Sequence, residues 1–158
     1  MANPDTYSDT NLLLRDIEYK LLRTSFGVWH SFMYDDGKTY HEFTSHSTLA
    51  GVPLLHYTSG ICPETGGRKV AKGIVAIGRM AVGMVAIGQA SLGMIGIGQA
   101  TLGFGVGIGQ LAVGGAALGQ AAIGCAFGLG QLALGFTAIG QFAIGVNVLG
   151  QFALKLPF

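Results

Sequence analysis

Formal charge is missing from nearly half of this chain. Between Arg79 and Lys155 there is no Asp, Glu, Lys or Arg over 75 residues. All eight acidic residues lie in the first 64 positions, and seven of the nine basic residues lie at or before Lys72. Charged residues make up 11% of the chain, against roughly 25% in an average soluble domain. The net charge is +1, and without a basic stripe the footprint of a nucleic-acid binder is missing. Cysteine is scarce too: Cys62 and Cys125 alone make no disulfide framework. The leading MANPDTYSDTN has neither the basic nor the apolar segment of a secretory signal. A cytoplasmic location is the default expectation, with membrane association as the alternative.

Glycine, by contrast, occurs 27 times, where usage of about 7% would give roughly 11. Most of it belongs to a tandem repeat from about Gly73 to Leu154: AIGRM, AVGMV, AIGQA, SLGMI, GIGQA, TLGFG, then AVGGA, ALGQA, AIGCA and onward to VLGQF. The consensus is Ala, an aliphatic residue, Gly, then two variable positions. About 16 units follow one another, with one-residue insertions near 105–108 and 127–130.

Hydropathy alone would make this stretch transmembrane helix. The period opposes that. Five residues at about 100° each rotate successive glycines by about 140° around a helix, so they line no packing seam, and each costs roughly 1 kcal/mol of helix propensity. A short strand with a Gly corner fits better. The expected fold is therefore mainly β: a Gly-rich β-solenoid over residues 71–158, capped by residues 1–70. Period-two alternation suggests the aliphatic second position and the fifth position point inward, with first-position Ala and the fourth position outward.

The fourth position alternates. Gln89, Gln99, Gln110, Gln120, Gln131, Gln141 and Gln151 interleave with Met84, Met94, Phe104, Gly115, Cys125, Phe136 and Val146. The true period is thus about ten residues, and an even number of faces per coil stacks Gln on Gln. Stacked amides can bond from coil to coil. Two faces would give about eight coils, roughly 38 Å tall; four would give half that. Outward Met84, Met94, Phe104, Phe136 and Val146 would form an apolar strip of a kind monomers rarely expose. Cys125 reads as a small hydrophobe within it.

In the first 70 residues, Leu14, Ile17 and Leu21 have helical spacing, which predicts a short amphipathic helix over 11–23. Asp35-Asp36-Gly37-Lys38 is a hairpin signal between FMY and TYHEF. Pro53 confines its strand to an edge or a start, and Cys62–Gly67 reads as a loop. His41, His46, His56 and Cys62 have spacings that match no familiar zinc pattern, so ordinary strand and loop histidines are expected, with no metal, cofactor or catalytic residue. Ser45, His46 and Ser47 form no nucleophile elbow. Gly105–Gln110 lacks the strand–helix context of a dinucleotide loop. Arg68, Lys69, Lys72 and Arg79 read as a solvated edge.

Ser47-Thr48-Leu49-Ala50-Gly51-Val52-Pro53-Leu54-Leu55-His56, then Pro63-Glu64-Thr65-Gly66 and Val70-Ala71-Lys72-Gly73 leading into AIG repeats, resemble bacterial Gly-rich AIG-repeat proteins. The resemblance covers roughly residues 45–154 and implies a β-solenoid. A looser similarity is to pentapeptide-repeat solenoids, whose polar residue before the central Leu is Ala here. The resulting expectation is a structural, non-enzymatic protein whose partner is itself. It oligomerises or polymerises, filaments included, through the Gln and apolar faces and the coil ends. The alternative is a membrane-associated β-repeat protein whose apolar strip meets lipid.

Overall fold

The computed structural model describes residues 18–157. It is mainly β, with no helix among the described residues. Its strands are β1 (Lys20–Arg23), β2 (Gly27–Met33), β3 (Thr39–Ser45), β4 (Thr48–Leu49), β5 (Val52–Pro53), β6 (Leu55–Ser59), β7 (Ala71–Ile77) and β8 (Met80–Lys155). One large mixed sheet runs β1-β2-β3-β6-β7-β8, and β4-β5 form a small separate ribbon.

The first part is antiparallel. The predicted hairpin forms: β2 pairs β3 with Met33 opposite Thr39, and Gly37 supplies the positive φ of 80° its turn needs. Trp29, Phe43 and Tyr57 lie in one cross-strand row. Their rings meet tilted and edge-on rather than stacked, with centroids 5.0 Å apart for Trp29 and Phe43 and 5.9 Å for Trp29 and Tyr57. Pro53 sits in the two-residue β5, and Cys62–Gly67 is a turn closed by the Gly66 amide donating to the Cys62 carbonyl.

The amphipathic helix over 11–23 is not what forms where the chain is described. Lys20–Arg23 is β1, antiparallel to β2; residues 11–17 lie outside the described residues. The edge of β2 offers a row of backbone donors and acceptors that β1 satisfies. A helix there would have had little to bury, since Leu21 and Leu22 are more than half exposed.

At β6 the pairing changes sense. Leu55–Tyr57 runs parallel to Val75–Ile77, and β7 runs parallel to the start of β8. Ala71 faces Ala81, Gly73 faces Gly83 and Ile77 faces Ile87, an offset of ten residues. Drawn straight, the 76 residues of β8 would span roughly 250 Å. Instead, successive ten-residue lengths, here called rungs, lie against one another. A Cβ built on Gly119 would overlap the carbonyl oxygen of Gly109, and one on Gly140 that of Gly130. The offset becomes eleven between Gly98 and Gly109 and between Gly119 and Gly130, where the two one-residue insertions fall. At the insertions, a Cβ on Gly103 or Gly124 would meet the carbonyl of Val106 or Phe127 in the same rung.

The interior corrects the expected orientation. First-position Ala71, Ala76, Ala86, Ala112, Ala117, Ala122, Ala133, Ala138 and Ala143 are fully buried. Second-position Val82, Ile87, Leu92, Ile97, Leu102 and Ile108 are 36–41% exposed. The alternation is real but its phase is reversed: Ala and Gly face in, the aliphatic residue faces out. The reason is space. Most repeat glycines bring one rung against the next, and the buried alanines pack on one another in clusters such as Ala112, Ala117 and Ala122. This leaves a slot that methyl groups fill and that Ile or Leu would force open. The slot conserves volume locally. Where Ser91 and Thr101 enlarge one side, Gly96 and Gly107 answer: a Cβ on Gly96 would lie 3.1 Å from Ser91 Oγ and 3.3 Å from Thr101 Cβ.

Candidate functional site

The outer surface of β8 follows from this phase. With position one and Gly facing in, positions two, four and five face out, and the ten-residue offset sorts them into rows. One corner carries Gln89, Gln99, Gln110, Gln120, Gln131, Gln141 and Gln151, all exposed. Five of them, Gln99 to Gln141, line a single groove of about 590 Å³ together with fifth-position Ala100, Leu111, Ala121, Leu132 and Phe142. The groove exists because alternate fifth positions are small. Gln89 and Gln151 continue the row but do not line it. Among the described residues, no Gln amide bonds to its neighbour on the next rung, so the expected amide ladder does not form. Each amide keeps a donor and an acceptor for something else.

A second row, offset by five residues from the Gln row, holds the residues of the expected apolar strip. Met84, Met94, Phe104 and Phe136 are 51–67% exposed, and Val146 is half-buried. What the sequence reading missed is that the strip is only part of the apolar surface. Its neighbours are the outward aliphatic second positions together with mixed fifth positions, among them Val85, Ile95, Ala116 and Ala126. Near the end of β8, Phe142 and Phe152 stack at 5.1 Å and 11° on consecutive rungs, both more than half exposed. They border a second depression of about 330 Å³ with Leu132, Ile144 and Leu154.

A polar cluster ties the antiparallel part to the first rung. Glu42 on β3 takes hydrogen bonds from Tyr40 Oη at 2.9 Å, from His56 Nε2 at 2.9 Å and from Lys69 Nζ at 2.7 Å. The Lys72 amide donates to His56 Nδ1 at 2.8 Å. That bond leaves His56 protonated on Nε2, the tautomer that can donate to Glu42. Burial alone would raise the Glu42 carboxyl, but bonds from His56, Lys69 and Tyr40 outweigh it and hold the group down at about 2. Burial, then donation to Glu42, pushes the Tyr40 hydroxyl up. Both Glu42 oxygens and both His56 nitrogens are committed within the fold, so the cluster works as a clasp. Sequence reasoning weighed His56 as a ligand and passed over Glu42. The available signal was an acid inside the strand pattern TYHEF, on the same face as Tyr40.

The imagined zinc residues are scattered. His41 Nδ1 pairs with Ser31 Oγ at 3.0 Å, His46 Nε2 faces the Thr24 carbonyl at 3.2 Å, and Cys62 is buried away from both. Among the described residues, no three His, Cys, Asp or Glu side chains are grouped to hold a metal ion. Ser45 Oγ is occupied between the Ser47 carbonyl and the Leu55 amide. Of the basic cluster, Lys69 belongs to the clasp, while Arg68, Lys72 and Arg79 are exposed. No described helix is long and apolar enough to cross a membrane, which leaves strands unaddressed. Comparisons with protein-family models, with curated proteins and with solved structures give no match to this chain.

Proposed function

We propose that residues 71–155 form a β-solenoid with a ten-residue coil of two five-residue faces, and that the protein is a structural element that associates with copies of itself. The observation that carries this reading is the Gln comb. Five amides one coil apart line one groove and do not bond to each other. A second copy has the same comb at the same spacing, so two combs match tooth for tooth about a two-fold axis. Each Gln supplies both a donor and an acceptor, and the neighbouring Ala and Leu allow close approach.

Association is assigned to the sides rather than the coil ends. The outer strand β1 carries Lys20 and Arg23, and the last strand ends in Lys155 ahead of Pro157. Edge cations and proline discourage strand addition. End-to-end filament growth is therefore the weaker form of the reading.

Light scattering of the purified 16.3 kDa chain tests it. We expect species at multiples of that mass, in mild detergent as well as without it. Gln110→Glu with Gln120→Glu puts like charges roughly 4.8 Å apart and should drive the protein toward monomer at low salt, with partial recovery at high salt. A single 16.3 kDa species under every condition would overturn the proposal.

A further inference from the structure

The Gln row accounts for one part of the array's surface and leaves the rest, where exposed Val, Ile, Leu, Met and Phe predominate and Asn147 stands near the charged end. We propose that the acyl chains of a bilayer cover this remainder, and that the array spans that bilayer along its coil axis; this rests on the β-solenoid reading above.

Three observations favour lipid over further copies on this surface. The first is length. The 75 uncharged residues make about seven coils, roughly 35 Å at the strand spacing, against a hydrocarbon core of about 30 Å. A modest tilt absorbs the difference. The second is where charge resumes. Arg68, Lys72 and Arg79 are exposed at one end of the array and Lys155 at the other, as headgroup regions on both sides require. An assembly in water has no need to confine charge to the two ends. The third is backbone satisfaction. Hydrocarbon tolerates only structures whose amides are paired internally. Parallel pairing is seen where β7 meets the start of β8, and the repeat glycines keep later rungs in the same close approach. On the solenoid reading, the coil left without a following partner is the last, next to Lys155. In such a setting the Gln row is the costly feature. A second copy's Gln row relieves that cost, which joins this inference to the self-association.

A depth measurement decides it. Met84, Phe104, Cys125 and Val146 lie on one corner at two-coil intervals, so a single cysteine at each samples the axis. Cys125 is native and exposed. Met84→Cys, Phe104→Cys and Val146→Cys are made in a Cys125→Ser background, with that background alone controlling for the buried Cys62. Each full-length protein is labelled with bimane and reconstituted into phosphatidylcholine vesicles brominated either near the headgroup or near the chain ends. The expected result is at least twofold stronger quenching by chain-end bromine than by headgroup bromine at 104 and 125, with the reverse preference at 84 and 146. Equal depth at all four positions means the array lies flat and overturns the spanning proposal. Absence of quenching, with protein sedimenting in vesicle-free buffer as a large assembly, means copies cover the faces; it overturns the lipid proposal and leaves self-association standing. The expected depth profile in a strictly monomeric protein overturns self-association alone.

Discussion

The antiparallel cap and the glycine array reach a β fold by opposite means. The cap uses bulk and polarity: Trp29, Phe43 and Tyr57 in a row, Tyr40 fully buried, and a carboxylate held by three donors. The array uses neither. Its interior is alanine methyl groups and glycine backbone, with the small hydroxyl residues Ser91 and Thr101 among them and the Met and Phe side chains outside. In the cap, side chains choose the backbone's position. In the array, close packing chooses the side chains: Gly, Ala, Ser and Thr fill the slot, until Val148 packs on the last alanine cluster near the end. The difference shows which positions tolerate change. Large residues are the fragile ones in the cap, and the smallest residues are the fragile ones in the array.

The hardest way to break that contrast is to enlarge an interior alanine. Ala117→Leu adds three carbons to a closed slot, and should destabilise by about 3 kcal/mol or more, the upper range for overpacking. Chemical denaturation would record it, and a near-neutral result would mean the slot is not closed. In the cap the corresponding cut is Glu42→Gln, which weakens three bonds to a charged acceptor and should cost about 2 kcal/mol at neutral pH. This site also has a pH signature. The folded Glu42 carboxyl sits near 2, below its ordinary 4.5. Its contribution is therefore complete above about 4.5 and declines as pH falls through about 2. Stability measured from pH 6 to pH 2 should drop more steeply in the native protein than in Glu42→Gln. Parallel curves would show that the clasp does not hold the carboxylate down.

Much of this architecture was legible from spacing alone. The ten-residue offset is written in the alternation of Gln with Met or Phe at position four, and the two eleven-residue offsets in the insertions after Gly103 and Gly124. The phase was not legible. Ala-Ile-Gly alternates whichever residue faces in, and hydrophobicity alone favours burying Ile. What reverses the choice is the packing of alanine on alanine inside the array, a tertiary arrangement that the repeated glycines hint at but do not state. Glu42 was hidden for a related reason: its partners come from residues 40, 56 and 69, and the strand pairing that brings β3 beside β6 assembles them. The strand at Lys20–Arg23 was masked by leucines that fit a helical period and found a sheet edge first.

A smaller test concerns the turn between β4 and β5. Ala50 and Gly51 both have positive φ, 53° and 78°, the pattern of a two-residue type I′ hairpin. Alanine is strained there by roughly 1–2 kcal/mol. Ala50→Gly should therefore raise the unfolding free energy, by about 0.5–1 kcal/mol after the added freedom of the unfolded chain is subtracted. A loss instead would mean the turn relaxes to another type. The site lies in the cap's small ribbon, where local geometry rather than packing sets the cost.

The smallest expected effect is the one that separates the two orientations of the array most cleanly. Ile97→Thr replaces an outward residue, 37% exposed, with one of comparable strand preference. Facing out, it gives up some contact with the aliphatic neighbours one rung away and should change stability by about 0.5 kcal/mol. Facing in, the same change would place a hydroxyl in an apolar slot and remove buried carbon, costing about 2 kcal/mol or more. The measurement is best made in detergent, so that loss of apolar surface is not confused with a change in aggregation. Paired with Ala117→Leu in the same preparation, it asks whether tolerance follows size or orientation. If the isoleucine proves more sensitive than the alanine, the interior belongs to the aliphatic position after all, and the slot that defines the array is wrong.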